Sequence, residues 1–347
     1  MTTTLRIGFL PLVDAALLVA AREEGFAERE GLSLELAREV SWANLRDRLS
    51  VGMLDAAQML APAAIAATLG LGHLRVPMAA PALLNMNGNS ITLSSALARE
   101  MSEAAGPLDD VGVAATAFAD LVKRRAREGL EPPVLASVFP FSMHTLLIDE
   151  FLRRGGLKAG EDVPLVVLPP PFMAASLASG QIDGFCAGAP WNALAVEAGS
   201  GAIVALGVDL IADAPEKLLV LRAAEAERRP ETAIALTRAV LAAAQWAEDP
   251  RARARLAEYL SRPHYLDAPA ATIEAILAGR LEIGGGRARR IAPDYLRIDR
   301  AALAPSPARA DQVIEAMIAA GQIAADDETR RIARDLFRAD LFAAAQA

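Results

Sequence analysis

A single cysteine, Cys186, excludes any disulfide within the chain, and its place in an apolar strand pattern predicts a buried, inert thiol. Three scattered histidines and that one thiol make no metal-ligand cluster. Cations are in the minority, 35 Lys and Arg against 43 Asp and Glu, and their spread leaves no basic surface for phosphate neutralisation. The densest run, Lys123-Arg124-Arg125-Ala126-Arg127, reads as the solvated end of a helix before Gly129. Apolar stretches are broken by Gly, Pro and charge before they reach the roughly 20 residues of a membrane-spanning helix. Met1-Thr2-Thr3-Thr4 runs directly into a strand without the basic start, apolar segment and cleavage site of a secretory leader. The expectation from this is a cytoplasmic protein, or a periplasmic one if a leader was removed. Walker loops, a G-x-S-x-G elbow and H-E-x-x-H spacing are all missing, and Gly284-Gly285-Gly286 lacks the strand-turn-helix frame of a dinucleotide site. Nothing among these motifs proposes an enzyme, and the expectation is a binding protein without a cofactor.

What is present is a repeat. Strand 5–9, a loop with Pro11, a helix, Gly31, strand 32–36 and a helix to Leu49 lead to Gly52-x-Leu54-Asp55-Ala56. Strand 134–138, a loop with Pro140, a helix, Gly155-Gly156, strand 163–168 and a helix to Ala178 lead to Gly180-x-Ile182-Asp183-Gly184. Ile7 precedes Asp55 by 48 positions, and Leu135 precedes Asp183 by the same 48. The same βαβαβ layout is thus written twice, which predicts an α/β protein of two lobes closing on a small molecule. The turn-forming Asn85–Asn89 stretch marks the crossing to the second lobe, and apolar segments flanking Asp213-Ala214-Pro215 mark the return. This assigns residues 1–90 with 207–347 to lobe I and residues 91–206 to lobe II. The helical, Ala- and Arg-rich tail after Glu225 is expected to pack on lobe I. Asp55 and Asp183, occurring once per lobe, read as anchors of architecture.

Sheets of this kind receive ligands beyond the carboxyl ends of their strands. Ser41 is a good N-cap and puts Trp42 at the first helical position, where it serves either the core or the cleft. Arg46 and Arg48 with Asp47 read as an exposed, self-neutralising face. His144 follows the Ser142 cap in a strand-to-helix loop and can donate to an oxyanion, while His73 and His264 lie in less telling places. Gly188 serves either a close backbone approach to a ligand or a plain turn. Lys217, at the return crossing, supplies either a cation for an anionic guest or a partner for Glu216 or Asp213.

Together, Gly8-Phe9-Leu10-Pro11-Leu12-Val13-Asp14-Ala15, Ser41 to Asp47, Asp55 to Pro62, Asn87-Gly88-Asn89, Pro169-Pro170-Pro171 and Phe185 to Asn192 resemble the nitrate/bicarbonate-binding proteins of ABC transporters, and more so their cytoplasmic nitrate-sensing relatives. The resemblance implies a periplasmic-binding-protein-like type II fold with the ligand cleft between its lobes. It also implies nitrate or nitrite held by Trp42, Asn89, His144, Gly188 and Lys217. In bicarbonate-binding members an acidic residue and a metal take the place of Lys217, so the lysine points to a nitrogen anion. Asn89 stands where transporter members carry the longer Gln, and Ala189 where they carry Glu. The sensing branch further implies a partner, an RNA-binding antiterminator regulator, with no direct nucleic-acid contact by this chain. The alternative is the substrate-binding component of an importer of nitrate or a related anion, and an enzyme on the same fold is the less favoured third reading.

Overall fold

The computed structural model describes residues 2–72 and 74–347; His73 lies outside them. Chain order gives β1 (Thr3–Phe9), β2 (Leu32–Arg38), β3 (Ala56–Leu60) and β4 (Met78–Asn87), then β5 (Asn89–Ser94), β6 (Leu135–Ser137), β7 (Leu165–Val167), β8 (Gly184–Gly188) and β9 (Gly201–Leu206). After the return come β10 (Pro215–Arg222), β11 (Arg280–Leu281), β12 (Arg290–Ile291) and β13 (Leu296–Arg297). They form two main sheets, ordered β13-β4-β10-β3-β1-β2 and β7-β6-β8-β5-β9, with β11 and β12 as a separate pair. This is the two-lobed periplasmic-binding-protein-like fold. We propose the lobe boundaries to lie at Gly88 and between Leu206 and Pro215, where the chain passes from one sheet to the other.

Both sheets follow one plan. The first strand of each repeat sits between two parallel neighbours, β2-β1-β3 and β7-β6-β8. An antiparallel strand then joins the outer side, β10 beside β3 and β5 beside β8. The strand added to each sheet is the one that enters from the other lobe. Because it runs antiparallel, its first residues lie at the carboxyl ends of the parallel strands: Lys217 pairs with Leu60, and Asn89 with Gly188. That register brings both crossings to the ligand end of the sheets.

The repeated aspartates lock the repeat. Asp55 Oδ2 accepts from Arg6 N and Asp183 Oδ2 from Val134 N, each at 2.8 Å across 49 residues. The backbone returns the bond in both lobes, Asp55 N to Arg6 O and Asp183 N to Val134 O, again at 2.8 Å. Replacing either aspartate by alanine orphans a backbone donor, so Asp55→Ala and Asp183→Ala should each lower unfolding free energy by about 1–2 kcal/mol in urea titrations. The Asp183 site is the less exposed, and its variant should lose more.

The tail departs in part from its expected place. Helix Pro230–Ala247 lies on the first lobe against helices Ala16–Glu23 and Ala339–Gln346. Residues 280–291, however, strap onto the second lobe. Ile203 N donates to Ile283 O at 2.9 Å, and Arg290 forms a two-pronged pair with Asp209 at 2.6 Å on each arm. Arg287 donates to Leu108 O at 3.0 Å. Gly284 makes the close seat possible: its φ is +71°, and a Cβ there would stand 2.9 Å from Gly201 O. No helix among the described residues is long and apolar enough to cross a membrane.

Candidate functional site

Trp42 opens the helix Trp42–Ser50, whose cap Ser41 accepts from Asn44 N at 3.2 Å. The indole is 2% exposed, packed in the core with Leu45 and Leu49, yet its Nε1 has no hydrogen-bond partner. Lys217 Nζ lies 5.3 Å from the ring centroid, within cation–π range. The ring therefore packs in the core and faces the Lys217 ammonium at once.

His144 sits in the first turn of helix Met143–Arg154, capped by Ser142, which accepts from Thr145 N at 3.1 Å. It is wholly buried, and neither ring nitrogen has a hydrogen-bond partner. Burial, reinforced by the nearby Lys217 charge, holds its pKa well below the usual histidine value. The imidazole is neutral, so its 3.6 Å approach to Glu216 Oε1 is a contact between a neutral ring and a carboxylate, not an ion pair.

Lys217 is fully buried and doubly paired. Its Nζ lies 2.6 Å from Glu216 Oε1 and 2.9 Å from Asp14 Oδ2. Burial opposes its charge, but the two carboxylates outweigh burial and hold the ammonium above the usual lysine value. Of the two sequence candidates for its partner, Glu216 is the one found. Asp213 is engaged elsewhere, 2.9 Å from Arg297. Burial raises the Asp14 and Glu216 carboxyls against the pull of Lys217.

Asn89 and Gly188 complete the junction. Asn89 Nδ2 donates to Glu216 Oε2 at 2.7 Å, which turns its buried, unpartnered Oδ1 the other way. The amide expected to donate to a guest is thus spent on Glu216. A Cβ on Gly188 would stand 3.4 Å from Leu12 Cδ2 and 3.5 Å from both Asn89 Oδ1 and Asp14 Oδ2. These are ordinary van der Waals distances, so Gly188 borders side chains of both lobes without a close approach that demands glycine. Val13 N donates to Ala189 O at 2.8 Å, tying the same loops together.

All five sequence candidates therefore border one buried junction. Three residues not named as site candidates belong to it: Asp14, Glu216 and Gln58, whose Oε1 accepts from Leu10 N at 3.0 Å while its amide donates to Asp14. Asp14 falls in the loop that follows β1, the position that marks a site in such sheets, whereas Gln58 lies within β3, where no sequence signal set it apart. Glu216 stood in view as a partner for Lys217. The Arg46–Asp47 pair forms at 2.7 Å, but Arg48 turns to the buried Glu39, so that face is not self-contained. Cys186 is buried in β8, and burial, then Glu216, pushes its thiol well above the ordinary value. No group of three or more His, Cys, Asp or Glu side chains fit for a metal occurs among the described residues. A cavity of about 600 Å³ beside the strap, bordered by Ser95, Arg99 and Arg287, shares no residue with the junction.

The sequence profile of the NMT1-like family matches residues 1–261. The chain belongs to the NMT1-like family. Among its relatives, the nitrate import ATP-binding protein NrtC of Synechocystis sp. PCC 6803 is 37% identical over 264 residues, 76% of this chain and 38% of that protein. The nitrate/nitrite binding protein NrtA of Nostoc sp. PCC 7120 is 32% identical over 292 residues, 82% of this chain and 63% of NrtA. The chain thus spans less than two thirds of either relative's length. The crystal structure of the periplasmic nitrate-binding protein NrtA from Synechocystis PCC 6803 superposes with a TM-score of 0.91 at 27% identity, covering 99% of this chain and 89% of that one.

Proposed function

We propose that this NMT1-like chain is the nitrate- or nitrite-binding component of an anion importer, with Trp42, Asn89, His144, Gly188 and Lys217 around the ion. The observation that carries the proposal is the buried junction. An ammonium, an indole N–H without a partner and an imidazole without a partner converge from both lobes on one place. Nitrate offers three acceptor oxygens and one negative charge, and it has no proton to give, so a cation plus neutral N–H donors suits it. Relatives named for nitrate import support a transport receptor over the cytoplasmic sensor with an antiterminator partner, an expectation that rests on the resemblance alone. These relatives are named as binding and transport proteins, which also supports binding over catalysis.

Isothermal titration with nitrate, nitrite, bicarbonate and a short alkanesulfonate tests the proposal. Saturable heat is expected with nitrate or nitrite and little with the others. Heat with neither nitrogen anion would overturn it.

A further inference from the structure

The donors assigned to the anion already hold a carboxylate. Glu216 Oε1 takes Lys217 Nζ at 2.6 Å and approaches His144 Nδ1 at 3.6 Å, while Oε2 takes Asn89 Nδ2 at 2.7 Å. A carboxylate is planar, carries one negative charge and presents two oxygens from a trigonal centre, as nitrate presents three. Glu216 reaches across from β10 of the first lobe to Asn89 on β5 and His144 of the second, so it also joins the lobes by itself. Asp14 holds Lys217 from its other side at 2.9 Å. With both carboxylates ionised, the buried group carries two negative charges and one positive before any guest arrives. A further anion in such a low-dielectric place meets repulsion that one ammonium does not cancel.

We propose that Glu216 is a tethered competitor for the anion site, and that an anion binds as Glu216 takes up one proton from solvent. The inference rests on the anion-binding reading above. Protonation removes the competing charge, frees Lys217 Nζ for the guest and converts one Glu216 oxygen from acceptor to donor.

The surroundings leave Glu216 as the group to take the proton. On its own strand it faces Lys217; β5 presents Asn89, helix Met143–Arg154 presents the neutral His144, β8 presents Cys186, and the turn Val13–Ala15 presents Asp14. Tyr295, whose hydroxyl lies 3.2 Å from Ser90 Oγ, stands near Asp14 and Cys186 and stays neutral because burial pushes it up. Asp14 keeps donors from Gln58 and Lys217, whereas Glu216 must surrender its donors to the guest. Burial already raises the Glu216 carboxyl, with the Lys217 charge opposing and Asp14 adding to the rise.

Calorimetry with nitrate in buffers of differing ionisation heat tests the proposal, with the wild-type chain and Glu216→Gln compared between pH 6 and pH 9. Wild type should take up about one proton per anion, and its affinity should fall by about tenfold per pH unit once Glu216 is ionised in the free protein. Below that point the carboxyl is already protonated, and affinity should level off. Glu216→Gln keeps the shape without the charge, so it should bind at least about tenfold tighter at pH 8, with no proton uptake. A pH-independent wild-type affinity without proton uptake would overturn the proposal. So would a folded Glu216→Gln that binds no tighter, or one that still takes up the proton, which would move the titration to another group. Should the variant not fold, the wild-type proton count decides alone. Nitrate and nitrite ignored by both chains at every pH would instead remove the anion-binding reading itself.

Discussion

Lys217→Ala should lower unfolding free energy by about 3–5 kcal/mol near neutral pH and abolish nitrate heat, because it leaves Asp14 and Glu216 buried without their cation. The loss should depend on pH in a definite direction. In the wild type the lysine is held above its ordinary value by the two carboxylates, against burial. Its stabilisation is therefore complete below the unfolded lysine pKa of about 10.4 and is lost only as pH rises through the higher folded value. The variant keeps two carboxyls that burial already raises, now without the opposing charge. A carboxyl raised in the folded state costs stability above its unfolded pKa of about 4, and it costs less as pH falls and the folded state takes up protons. Urea midpoints at pH 8 and pH 5 should show the gap between wild type and variant narrowing at pH 5. A gap of the same size at both values would show that the carboxylates do not rely on Lys217.

Trp42→Ala and Trp42→Phe should separate the two duties of the indole. Truncation to alanine removes a large side chain from the core around Leu45 and Leu49 and should cost about 3–5 kcal/mol. Phenylalanine retains an aromatic face beneath Lys217 Nζ but deletes Nε1–H. Most of the stability should return in that variant, while nitrate affinity should fall by up to about tenfold, the worth of one net hydrogen bond. Thermal unfolding and nitrate titration of both proteins check this. A phenylalanine variant that binds nitrate like the wild type would assign Trp42 to packing alone.

The two-lobed fold was legible because backbone geometry repeats itself in residue types. Gly-x-hydrophobic-Asp at matched spacing recorded the two reciprocal aspartate locks, which the structure places at the same step of each sheet. The candidate site was legible as a set of loops, since parallel strands aim their carboxyl ends at one region. Its charge balance was not. Lys217 reads in sequence as a cation with at most Glu216 or Asp213 for a partner, because its second carboxylate, Asp14, is about two hundred positions away and meets it only through the meeting of β10 with β3 and the β1 loop. Asn89 reads as a donor to a guest for the same reason: nothing local shows that Glu216, over a hundred residues on, claims its amide. The strap escaped notice because Arg287 and Arg290 look like ordinary surface arginines until Leu108 and Asp209 are brought beneath them.

That strap bears on how far the cleft can gape. Besides the two crossings and the contacts at the junction, the strap ties the lobes through Ile283, Arg287 and the Arg290–Asp209 fork, and its continuation re-enters the first sheet at β13. Only five peptide steps separate Ile291 from Leu296, a leash of no more than about 18 Å when fully extended. Wider excursions require either the strap to release its bonds to Asp209, Ile203 and Leu108 or β13 to peel from β4. If the chain binds an anion as proposed, opening to admit or release it is expected to be a short-stroke movement, which Arg290→Ala should lengthen.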